Sequence, residues 1–253
     1  MKSWLLAATA VFAPITFVIA ADANSITVGQ ATLSLPAPEN FERLDTEEAI
    51  SSEVRESILT PSNRLLAYFA PNSEFKETFK PIFHAQTPRG TEAIVYSIQR
   101  FQEMSVSLAG LLGAGSGGLP KNGETSSLGV YDRGDHHLNF ASLSRTIPED
   151  DNANNGTLTY VAASMNNIAG SVVNLYCVVP AEPESNQVWA REQITNWQQA
   201  VQSSNPTPLP EAKAQAISPM KRGAIIGSIT GLIGALIGMA LLKNRKSQSS
   251  AEA

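Results

Sequence analysis

The alternation of apolar and polar residues changes period several times along this 253-residue chain, and each change marks an element. Ser25–Val28 and Ala31–Leu35 alternate branched and polar residues around Gly29-Gln30, which predicts a hairpin closed by a two-residue turn. Pro36 and Pro38 end it. From Glu42 to Leu59 the period lengthens: Leu44, Ile50, Val54 and Ile58 recur near helical spacing, with acids opposite, predicting an amphipathic helix. Leu65–Ala70 reads as a short strand, Pro71 to Pro88 as loop, and Glu92–Ile98 as a strand. Ile98, Phe101, Met104, Leu108, Leu111 and Leu112 then form the apolar stripe of a helix ending at Gly113. Four strands follow, over Leu128–Asp132, Leu138–Thr146, Leu158–Met165 and Ser171–Val179. Ala190, Ile194, Trp197 and Val201 mark a last amphipathic helix, opened by Pro183 between Glu182 and Glu184.

Hairpin strands, then helices interleaved with antiparallel strands, predict an α+β fold: an antiparallel sheet with helices packed on it. Both ends of the chain are apolar in another way. Gly223–Leu242 carries no charge over twenty residues, a length of about 30 Å as a helix, the thickness of a bilayer's hydrocarbon core. Lys221 and Arg222 bound it on one side, Lys243, Arg245 and Lys246 on the other. At the other end Lys2 precedes the apolar run Trp4–Ala20 and the small residues Ala20-Ala21-Asp22-Ala23, the form of an export signal. Cleavage fits after Ala23, with Ala20 and Ala21 as alternative exits. The expected organisation is a signal peptide at 1–23, an exported domain at 24–204, a proline-rich linker at 205–220, a transmembrane helix at 221–243 and a cytoplasmic tail at 244–253. The linker, with Pro206, Pro208, Pro210 and Pro219, would hold the domain up to roughly 50 Å from the bilayer as an extended spacer. The expected location is the cell membrane, single-pass, with most of the chain on the exported side.

The run Gly29…Leu33-Ser34-Leu35-Pro36…Phe41, a late strand at Ser171–Val179 and a helix bearing Trp197 resemble exported bacterial domains of the PsbP-like α+β sandwich type. That resemblance implies binding and assembly-assisting roles rather than one enzyme class. It supplies no motif residues to carry over.

Charge narrows the partners. Residues 24–204 hold 20 acidic and 11 basic side chains, a net charge of −9, which argues against nucleic acid and anionic lipid as partners of the domain. The one cysteine, Cys177, lies in an apolar run and reads as a buried thiol. Gly113–Gly118 satisfies G-x-G-x-x-G, but it follows a helical stripe rather than a strand, so a helix end opening into a loop is the better reading. No cofactor is called for. Asp132-Arg133-Gly134-Asp135-His136-His137 gathers two carboxylates and two imidazoles. If both lay on a strand, Asp135 and His137 would share a face and offer two metal ligands, with no third or fourth nearby.

The pattern with the clearest mechanism is in the predicted span. Gly223, Gly227 and Gly231, then Gly234 and Gly238, place small residues every fourth position, a surface on which helix backbones approach closely. Association with a second copy or with another membrane protein follows from it. The sequence therefore favours a non-enzymatic envelope protein that binds, tethers or assists assembly. A hydrolytic or metal-dependent enzyme working through Asp132–His137 is the first alternative, and a structural glycine-zipper membrane protein the second.

Overall fold

The computed structural model describes residues 24–44, 62–114, 118–121, 124–146 and 157–205. The chain opens with the hairpin β1 (Ser25–Val28) and β2 (Ala31–Ser34). Seven further strands form one antiparallel sheet: β3 (Phe41–Arg43), β4 (Asn63–Pro71), β5 (Ile82–Pro88), β6 (Thr125–Arg133), β7 (His137–Thr146), β8 (Thr157–Ile168) and β9 (Ser171–Pro180). Their spatial order is β3-β4-β5-β9-β8-β7-β6. Helix α1 (Ile98–Ala114) leads into β6, and α2 (Glu184–Ser203) follows β9.

The two central strands are apolar on both faces because both faces are covered. Successive residues of β8 alternate between two separate cores. Tyr160 and Ala162 pack with Ala190, Ile194, Trp197 and Val201 of α2. Val161 and Ala163 pack with Phe101, Met104, Leu108 and Leu112 of α1. Since neighbouring strand residues point to opposite faces, the helices lie on opposite sides of the sheet. β8 and β9 are joined by Ala169 and Gly170, both at positive φ (48° and 83°), which gives the tight turn that keeps their ten-residue register.

The hairpin covers the α2 side, contributing Val28, Leu33 and Leu35 to that core. Its turn needs glycine twice over: Gly29 sits at φ +60, and a Cβ there would lie 1.9 Å from the Glu92 carbonyl oxygen. Arg64 fixes this junction, pairing with Glu92 at 2.8 Å and donating to the Thr27 carbonyl at 2.9 Å. At the other end of the hairpin the Asn205 amide bonds both ways with the Ser34 backbone, each contact 2.8 Å.

Four expectations need correction. The fold class, an α+β sandwich of the PsbP-like kind with a C-terminal transmembrane helix, gives way to a mainly β domain: one seven-stranded antiparallel sheet and two helices. Among the described residues no helix is long and apolar enough to cross a membrane. Glu42 lies in β3, paired with Ala70, rather than opening a helix. The rest of that expected helix, from residue 45, is outside the described residues. The expected loop before Pro88 contains β5, a central strand. His84 and Gln86 hide its apolar pattern, because here the polar residues are buried too. The expected strand Glu92–Ile98 is no strand: a 3-10 turn at Arg89–Thr91 precedes it, and the stretch itself is a turn and a connection that leads into α1 at Ile98. The Tyr96 amide donates to the Gly170 carbonyl at 2.8 Å and its ring is buried beneath α1, so an apolar, strand-like run arises without a ladder. The signal at 1–23, nearly all of the linker, the span at 221–243, its five glycines and the tail also lie outside the described residues.

Candidate functional site

A cleft of about 620 Å³ opens where the 72–81 connection between β4 and β5 meets the first turns of α2. Local chemistry sets its walls. Asn72 caps the connection, its side-chain oxygen accepting from the Glu74 amide at 2.9 Å and its carbonyl from the Phe75 amide at 3.2 Å. Asn72 is in turn held by the Asn40 carbonyl at 3.0 Å, and Asn40 sits at positive φ (66°). These two turns bring Glu39 and Asn40 to one rim and Glu74, Phe75, Lys76 and Glu77 to the other.

Trp189 and Gln193, one helical turn apart on α2, close the third side. Trp189 is off the apolar stripe that predicted the helix, and its ring looks toward the connection instead. It meets Phe79 edge-on at 5.2 Å, Phe75 at 6.0 Å and Phe83 at 6.2 Å. The stack continues inward through Phe83 to Phe41 (4.6 Å) and Trp197 (5.6 Å), and through Trp197 to Phe69 (5.3 Å). Trp197 is fixed by its indole N–H, which donates to the Pro36 carbonyl at 2.7 Å. Edge-to-face pairs contribute about 0.5–1.5 kcal/mol each beyond burial, so the outer rings stand on a rigid base. The cleft thus sets two half-buried rings, Phe75 and Trp189, beside an exposed polar rim, and it is open to solvent.

The Asp132–His137 region is organised differently from the expected metal pair. β6 ends at Arg133 and β7 begins at His137, so Asp135 is in the turn and does not share a strand face with His137. Asp135 accepts from Gln102 of α1 at 2.8 Å. His137 Nε2 instead lies 3.0 Å from Asp132 Oδ2, the oxygen that also accepts from Asn139 at 3.3 Å. Gly134 makes room for this ring, since a Cβ there would lie 2.6 Å from it. Among the described residues no group of three or more His, Cys, Asp or Glu side chains could hold a metal ion.

The groups whose protonation burial displaces most are elsewhere again. The pKa of His84 is lowered to about 3 by desolvation, and its ring stacks on Tyr176 at 4.7 Å on the same side of the sheet as α1. Desolvation also raises Tyr176 and Cys177. Cys177 is fully buried, as its apolar surroundings in the sequence suggested. None of the three lines the cleft.

Sequence reasoning missed the cleft. Its available signals were Phe75 and Phe79, two rings in a stretch otherwise polar, and Trp189, an aromatic outside the helix's buried stripe.

No protein-family model matches the chain, and no curated protein sequence matches it. A solved structure similar to it is the crystal structure of LpqN, involved in cell envelope biogenesis of Mycobacterium tuberculosis. The two share 14% sequence identity and a TM-score of 0.29, over 68% of this chain and 80% of that one.

Proposed function

We propose that this protein is a non-enzymatic binding module of the cell envelope, exported by its N-terminal signal and held at the membrane by the apolar stretch Gly223–Leu242. The observation that carries the binding role is the cleft between the 72–81 connection and α2, with its wall of Phe75 and Trp189. Support for the location comes from the sequence: an export signal and a charge-free stretch of bilayer length. Association of copies through Gly223, Gly227, Gly231, Gly234 and Gly238 would cluster the clefts at the surface and raise their effective concentration.

Native mass spectrometry of the full chain, extracted from its own membranes in mild detergent, tests the binding role. The expected result is a bound species on the wild type that is lost from Trp189→Ser. Bare protein in both, or the same species on both, contradicts it. Loss of cross-linked oligomers in Gly227→Leu/Gly231→Leu is the result expected of the association.

A hydrolytic or metal-dependent role for the hairpin end is the second reading, favoured by the contact between His137 and Asp132. It requires an activity or a bound metal that His137→Ala abolishes.

A further inference from the structure

The cleft has a charge as well as a shape. Its rim carries three carboxylates, Glu39, Glu74 and Glu77, against one ammonium, Lys76. Among the described residues none of the three carboxylates is held in an ion pair. Glu74 and Glu77 flank Phe75 in the same short connection, and Trp189 faces them from α2. A positive charge over an indole face is attracted by the ring quadrupole, and carboxylates beside the ring add to that attraction. An anion placed there would be repelled on both counts.

We propose, on the basis of the binding role above, that the cleft holds a soluble organic cation, with an alkyl-ammonium group seated against Trp189 and Phe75 and faced by Glu74 and Glu77. Lys76 is the one element of the rim that opposes this ligand, so its removal tightens binding. The volume of about 620 Å³ accommodates a small molecule whose uncharged remainder lies along the Gln193 side of α2.

The test uses the full chain in micelles of an uncharged detergent, titrated calorimetrically with choline and with 3,3-dimethylbutan-1-ol, its neutral isostere. Choline is expected to bind at least about tenfold more tightly than the isostere, and more weakly as salt rises. Glu74→Gln/Glu77→Gln is expected to weaken choline by about tenfold, and Lys76→Gln to strengthen it by about twofold to threefold. Circular dichroism on each variant separates loss of binding from loss of fold. Equal binding of choline and the isostere, both lost in Trp189→Ser, overturns the cation while leaving the binding role intact. Binding of neither probe overturns the cation too, and the native mass spectra then decide the binding role separately. Capture of phosphatidylcholine vesicles without binding of free choline overturns the soluble source in favour of a lipid headgroup.

Discussion

The two faces of the sheet are both buried, yet they are filled differently. On the α2 face seven aromatic rings, from Phe69 and Trp197 inside to Phe75 and Phe79 outside, form a connected edge-to-face stack that surfaces as the cleft. On the α1 face the rings of Tyr96, Phe101, Phe140 and Tyr176 are mixed with aliphatic and methionine side chains and with polar groups: His84 on Tyr176, Asn174 beside Met165 in the next strand. The α2 face therefore delivers rigid apolar surface to solvent. The α1 face keeps its titratable groups from water, where they affect stability rather than binding.

Cutting the aromatic stack at its root breaks this contrast most strongly. Trp197→Ala removes a fully buried ring and leaves the Pro36 carbonyl without its donor, at an expected cost of about 3–5 kcal/mol in chemical denaturation of the full chain. Trp189→Ala, at the half-buried outer end, should cost about 1–2 kcal/mol while abolishing cleft binding. Equal costs at both positions would mean that the wall belongs to the core rather than to a site.

The α1 face is probed by pH. The folded-state pKa of His84 is about 3, below its ordinary value of 6.5, so the unfolded chain binds a proton that the folded chain refuses. Stability from this group is complete above pH 6.5 and declines as pH falls toward 3. Between pH 6.5 and 4 the loss is about 3 kcal/mol, from roughly 1.4 kcal/mol per pH unit. His84→Phe should flatten the acid limb of a denaturation series by that amount, and an unchanged limb would place the imidazole in water.

Smaller effects separate the two ends of the sheet. Asn205→Ala, which frees the hairpin from the end of α2, should cost about 1–2 kcal/mol. His137→Ala breaks a contact whose carboxylate partner is half exposed, and should cost about 0.5 kcal/mol or less. A much larger loss at His137 would show that the β6–β7 end carries more of the fold than its contacts indicate.

Most of the order of elements was legible because it rests on local patterns. The Gly29 turn, the stripe of α1 from Phe101 to Leu112, the stripe of α2 and the strands β6 to β9 each declare themselves in a dozen residues or fewer. What was not legible depends on what covers a residue. β5 reads as loop because His84, Gln86 and Thr87 are polar, and only the two covered faces make them buried. The Glu92–Ile98 stretch reads as strand because Ala93-Ile94-Val95-Tyr96 is a run of apolar, β-branched and aromatic residues, though Ile94 and Tyr96 face a helix and not a neighbouring strand. With β5 gained by the sheet and Glu42 placed in β3, the balance moves from α+β to mainly β. The cleft was invisible for a different reason: Phe75 and Trp189 are more than a hundred positions apart and meet through tertiary packing. At the hairpin end the sequence showed the right residues but the wrong pair, since the turn withdraws Asp135 and leaves Asp132 to His137.

Hydrogen exchange on the full chain compares the two ends of the domain in one experiment. Protein in its own membranes is set against protein stripped in detergent, with amides 72–81 and the first turns of α2 read against amides 132–139. Slower exchange in membranes at the first group alone, abolished by Trp189→Ser, is the result that a working cleft predicts. Slower exchange confined to 132–139, or identical exchange in both preparations, would contradict it.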